Sequence, residues 1–237
     1  MRDDLDQFQV FYHHGMMPVY QVLLDITGMN QAEGVIKYTL EYTVSAPPAD
    51  DLACLNSWRS ILHELHLVGQ SPDLYQGYGY GNLSQRRSSE TDEFVITASQ
   101  TGQDRVLSAR QYVAIEDCCI ELNRVRASGA MPPSSEAMSH AMIYQLSPAT
   151  QCVMHIHDQR LWHYALENGM PATAVQVEFG TVSMAKEIER LMREGGLAKV
   201  GVLAMAGHED GLISFGESVN EAGLRLLKLW LAARGYL

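Results

Sequence analysis

The run Val200–Met205, VGVLAM, contains no polar side chain in six consecutive residues. It is too short to span a membrane, and a fully apolar run of this length is typical of a central strand, buried on both faces. A second run, Cys152–His157 (CVMHIH), also reads as a buried strand. Between the two, the spacing predicts helices over Arg160–Glu167 and Met184–Arg193, on either side of the segment Glu178–Thr181. A last helix, Ser218–Ala233, opens on a capping serine and carries Ala222, Leu226, Leu229 and Trp230 at helical spacing. At 237 residues the chain is long enough to bury one sizeable core, and one α/β domain suits that length.

Upstream the pattern is less regular. Val19–Ile26 suits a strand or a short helix, and His13-His14 reads as a surface pair. Gly34–Ser45 alternates like a strand until Pro47-Pro48 breaks it. Asp50-Asp51 then offers an N-cap for a helix reaching about Val68. Its apolar stripe is Leu52, Leu55, Trp58, Ile61, Leu62, Leu65 and Leu67, with His63 and His66 at the surface. A Gly/Tyr-rich turn over Gln76–Arg86 follows, then strands over Glu93–Thr97 and Tyr112–Ile120 and a helix from Glu136 to about Gln145. We therefore divide the chain into an extension of unknown role, residues 1–45, and a domain over residues 46–237.

A net charge of −11 argues against nucleic acid or an anionic membrane as partner, because both need clustered Lys and Arg. A small anionic substrate stays open, since backbone amides and a metal bind phosphate locally. Cys54, Cys118, Cys119 and Cys152 form no C-x-x-C pair, and with no signal peptide or membrane span visible the expectation is a cytoplasmic protein with reduced thiols.

His155 and His157 stand two apart in a strand, so both imidazoles leave the same face, a geometry suited to one Zn²⁺ or similar ion. His208, in the Gly-flanked turn AGHEDG after the second apolar run, is a candidate third ligand. Ser134-Ser135 before a helix presents hydroxyls and free amides suited to an anion, although taken alone the pair is better read as plain N-capping. Glu136 opens that helix and His140 lies one turn on. Gly79, Gly81 and Asn82 form a tight turn that brings backbone N–H groups close to a ligand.

Taken in order, six segments resemble the class II aldolase/adducin family: GNLSQR (81–86), ITASQTG (96–102), PPSSEAMSHAMIY (132–144), VMHIHD (153–158), FGTVSMAKEI (179–188) and LAMAGHEDGLISFGESVNEA (203–222). The resemblance implies a three-layer α/β/α fold with a central, mainly antiparallel sheet. It also implies a divalent ion on His155, His157 and His208, with Zn²⁺ first and Mn²⁺, Fe²⁺, Co²⁺ or Ni²⁺ as alternatives. Glu136 would be the general acid/base, and Asn82, Thr101, Gly102, Ser134 and Ser135 would hold the phosphate or carboxylate of a small substrate. A homotetramer is the implied assembly.

The implied chemistry is lyase chemistry on a hydroxy-carbonyl compound through a metal-stabilised enediolate, with retro-aldol cleavage first. Dehydration, decarboxylation, epimerisation or an adducin-like interaction module are the alternatives. Two departures bear on that choice. His208 is followed by Glu209 and Asp210 rather than by glycine, and only residues 158–179 intervene where the aldolases carry a catalytic tyrosine, with Tyr164 too early to match.

Overall fold

The computed structural model describes the backbone of residues 20–22 and all of residues 35–237. Strands are β1 (Tyr20–Val22), β2 (Thr39–Val44), β3 (Gly69–Gln70), β4 (Gly79–Tyr80), β5 (Asn82–Arg86), β6 (Phe94–Thr97), β7 (Tyr112–Cys119), β8 (Arg124–Gly129), β9 (Cys152–His157), β10 (Val202–Ala204) and β11 (Gly211–Gly216). Helices are α1 (Ala53–Glu64), α2 (Ala137–Leu146), α3 (Gln159–Glu167), α4 (Val182–Arg193), α5 (Gly196–Val200) and α6 (Val219–Ala233). Among the described residues the main sheet has nine strands in the order β1-β2-β8-β7-β6-β5-β9-β11-β10, and β3 pairs with β4 apart from it. Every neighbouring pair is antiparallel except β2 with β8.

Strand alternation separates two cores, one on each face of the sheet. Val153, Phe94 and Ile213 pack with Met138 of α2 and Ile188 of α4. Met154, Ile156 and Leu83 pack on the other face with Leu55 of α1, Leu161 of α3 and Leu226 of α6. The result is the α/β/α sandwich that the resemblance implied. Among the described residues no helix is long and apolar enough to cross a membrane.

Several elements differ from expectation. Val200–Met205 is not one central strand. It holds the end of α5, a left-handed Gly201 (φ 65°) and then β10, at the edge of the sheet. It reads as central because its edge is covered as well as its faces: Ala204 donates to Pro171 O at 2.9 Å and accepts from Thr173 N at 3.0 Å. Residues 82–86, read as a turn, form β5, and the turning residues lie ahead of it, with Gln76, Gly77 and Gly81 at φ 58°, 82° and 74°. β8 and β11 escaped the sequence reading. In RVRASG, Arg126 faces solvent and interrupts any apolar run, and β11 both begins and ends on glycine.

The first long helix stops at Glu64 rather than Val68. His66 takes a left-handed conformation (φ 58°) and Leu67 N donates back to Leu62 O at 2.9 Å, which closes the helix as glycine often does. Leu52 occupies its cap position, while Asp51 Oδ1 accepts from Ala53 N at 3.1 Å. Ser218 caps α6 as expected, accepting from Glu221 N at 3.1 Å. Of Val19–Ile26 the structure describes β1, a strand, whereas His13-His14 lies outside the described residues.

Candidate metal and anion site

The alternation of β9 sends His155 and His157 to the face of Val153, beneath the α2/α4 layer. His208 arrives from the turn joining β10 to β11, held by His208 N to Met205 O and Gly211 N to His208 O, both 2.9 Å. Gly211 stands opposite His157 in the β9–β11 ladder, and a Cβ there would overlap the His208 ring. That glycine is what lets the third imidazole lie over the strand.

His157 Nε2 stands 3.0 Å from His155 Nε2 and 2.9 Å from His208 Nε2. His155 Nδ1 lies 3.0 Å from Leu212 O; donating its proton there leaves the Nε2 lone pair facing its neighbours. Burial keeps all three rings neutral at pH 7. It holds His155 near 4 and His157 and His208 well below the ordinary histidine value, with the neighbouring imidazoles adding to the effect on the latter two. Three neutral, converging imidazoles are the donor set a divalent ion requires. Ligand nitrogens of a tetrahedral ion lie about 3.3 Å apart, so the His157–His155 and His157–His208 pairs are within a few tenths of an ångström of ligand spacing, and all three donor nitrogens lie within 4.8 Å of one another. The residues fit the group.

The residues read from sequence as anion binders are brought together. Asn82, Thr101, Gly102, Ser134 and Ser135 line one small cavity of about 20 Å³, and Glu136 is on its wall. Asn82 pairs with His155 across β5 and β9, which puts this cavity beside the triad. Gly102 is there because nothing larger fits: a Cβ would overlap the Gly69 carbonyl oxygen. We expect Gly102→Ala to lower stability by about 2–4 kcal/mol, read as a fall in urea midpoint, because backbone must move to admit the methyl.

Glu136 is buried, and Ser139 donates its hydroxyl to Oε2 at 2.8 Å. Oε1 has no hydrogen-bond partner among the described residues. Burial pushes its carboxyl up to about 7, against smaller opposing effects from Ser139 and Lys37. His140 turns inward, with Nδ1 2.7 Å from Ser84 Oγ, which also contacts the Tyr144 hydroxyl at 2.8 Å. It braces β5 from α2.

A larger cavity of about 710 Å³ opens over His157 and His208. Tyr75 and Tyr80 line it, with ring centroids 4.8 and 5.9 Å from that of His157, and Tyr75 donates to Asp210 Oδ2 at 3.0 Å. Tyr164 instead faces a separate surface groove beside Leu229. Sequence reasoning missed Tyr75 and also Lys37. The Lys37 ammonium sits 3.4 Å over the ring of Phe179, donates to Glu178 Oε1 and Phe179 O, and the Phe179 ring lies 4.3 Å from that of His208, tilted by 57°. Neither residue had a signal: Lys37 precedes a strand as any solvated lysine does, and Tyr75 is placed by a left-handed conformation (φ 48°) unusual for an aromatic residue.

The family model described as the Class II Aldolase and Adducin N-terminal domain matches residues 73–237, more than half of the chain. A methylthioribulose-1-phosphate dehydratase of Leptospira biflexa is 28% identical over 173 residues, covering 62% of this chain and 80% of the relative. Among solved structures, an L-fuculose 1-phosphate aldolase superposes with a TM-score of 0.59 at 21% identity, over 81% of this chain and 86% of its own. The l-fuculose-1-phosphate aldolase of Thermus thermophilus gives 0.55 at 18% identity, over 77% and 90%. At such identities the two aldolases speak for the fold alone.

Proposed function

Because the chain belongs to the class II aldolase and adducin N-terminal domain family, we propose that it is a metal-dependent lyase that removes water from a phosphorylated hydroxy-ketone of the methylthioribulose 1-phosphate type. The observation that carries the reading is adjacency: a three-histidine cluster, a small polar cavity and a buried carboxyl meet around β9. Dehydration stands ahead of retro-aldol cleavage because a relative at 28% identity, matched over 80% of its own length, is a dehydratase, and Tyr164, the tyrosine within residues 158–179, faces a separate surface groove.

His155, His157 and His208 would hold the ion, which when bound supplies Lewis acidity that polarises a substrate carbonyl. Asn82, Ser134 and Ser135, with the amides of the Thr101–Gly102 loop, fix the phosphate and so orient the carbon chain. Glu136, with its carboxyl near neutrality, takes the proton from the carbon beside the carbonyl and returns it to the departing hydroxyl. One C–H and one C–O bond break, water leaves, and the enol product tautomerises to a ketone.

Incubation with methylthioribulose 1-phosphate, followed by mass spectrometry and NMR, tests the reaction. One product lighter by one water is expected. Two carbonyl fragments would move the assignment to aldol cleavage, and loss of carbon dioxide to decarboxylation.

A further inference from the structure

Among the described residues no lysine or arginine lines the small cavity, although a phosphate placed there would carry up to two negative charges. A buried cation stands behind its wall. Arg59 of α1 is 1% exposed, and its Nη2 donates to Thr101 O and Asp104 O, both at 2.7 Å. No carboxylate pairs with it among the described residues: Asp104 meets it through a backbone carbonyl and uses its own carboxylate on Gln111. Arg59 Nε has no hydrogen-bond partner there either. The charge of the Asp104 carboxylate offsets part of the cost of burying this cation, and an anion in the cavity would offset more.

We infer that Arg59 is a positioning residue for the anion site, fixing the Thr101–Gly102 peptide so that the Gly102 amide donates into the cavity, and supplying from behind the positive charge that the cavity lining lacks. The geometry follows from peptide planarity. The bond is trans, so C=O and N–H point in opposite directions. With Thr101 O held towards Arg59, Gly102 N–H points away from it, and Gly102 lines the cavity. That N–H has no acceptor among the described residues, and a guanidinium on the carbonyl polarises the peptide and strengthens its donor end. Thr101 O and Asp104 O are also the two points at which α1 fastens this loop, so charge and aim come from one side chain.

The inference rests on the small cavity being the phosphate site of the proposed function. Its test uses inorganic phosphate, titrated calorimetrically into the metal-loaded wild type, Arg59→Lys and Arg59→Gln, each checked for folding by circular dichroism. Gln keeps donors for the carbonyls and loses the charge; Lys keeps the charge. We expect Arg59→Gln to weaken phosphate binding by about tenfold or more, the size of a lost charge-assisted contact, with Arg59→Lys in between.

In parallel, the Gly102 amide resonance of the wild type should move downfield as phosphate is added. Wild type that binds no phosphate overturns the anion cradle, and the inference with it. Wild type that binds while Arg59→Gln binds equally well, or while Arg59→Lys is no better than Arg59→Gln, overturns the role of Arg59 alone. Should neither variant fold, a Gly102 amide that stays put in phosphate-saturated wild type overturns it.

Discussion

His157→Ala is expected to empty the metal site and abolish turnover. Its Nε2 stands 3.0 Å from that of His155 and 2.9 Å from that of His208, so removing it leaves two imidazole donors where three converge. Lewis-acid polarisation is worth several kcal/mol, so activity should fall at least about a thousandfold. Metal analysis of the purified protein should find about one divalent ion per wild-type chain and almost none in the variant. The fold should survive, because the α2/α4 side of the sheet is held by its own apolar contacts, among them Met138 and Ile188. Binding of the ion needs neutral rings, which burial secures, so metal retention should hold down to mildly acidic pH. A folded His157→Ala protein that keeps a stoichiometric ion would remove this triad from the mechanism.

How much of this could be read from sequence depended on whether a residue's environment is local. β9 was legible to the residue, because an apolar run with histidines at alternate positions says both what the strand is and which side chains share a face. His208 followed from its turn, and Asn82, Thr101, Gly102, Ser134 and Ser135 from ordered motifs that the structure gathers into one cavity. What failed was burial decided by distant partners. In α1, periodicity put Ile61 inside, yet Ile61 is 43% exposed and Arg59 is the residue that turns inward. Its acceptors lie more than forty residues away in a loop, and nothing in the helix announces them. Lys37 is the same case, recruited by Glu178 and Phe179 from far along the chain. The edge position of β10 was hidden for the opposite reason: the loop over residues 171–173 gives an edge strand the cover, and so the composition, of a central one.

Glu136→Gln should separate catalysis from stability. Without a carboxylate to accept and return the proton, turnover is expected to fall by about 10²–10⁴ while metal content stays at the wild-type level. The same substitution should stabilise the protein. Burial raises the Glu136 pKa from 4.5 to about 7, so between those values the native state holds a proton that the unfolded chain has released. Native stability therefore falls as pH rises through that window and levels off above it, with a total loss of about 3 kcal/mol. Gln carries no such penalty and still accepts from Ser139 through its amide oxygen. In metal-free protein the variant's melting temperature should exceed wild type by about 5–10 °C at pH 8, the gap closing as pH approaches 4. The histidines titrate in both proteins and cancel in the difference. A gap that does not change with pH would mean the carboxyl is not the buried, proton-holding group described here. Full activity in the variant would take Glu136 out of the reaction altogether.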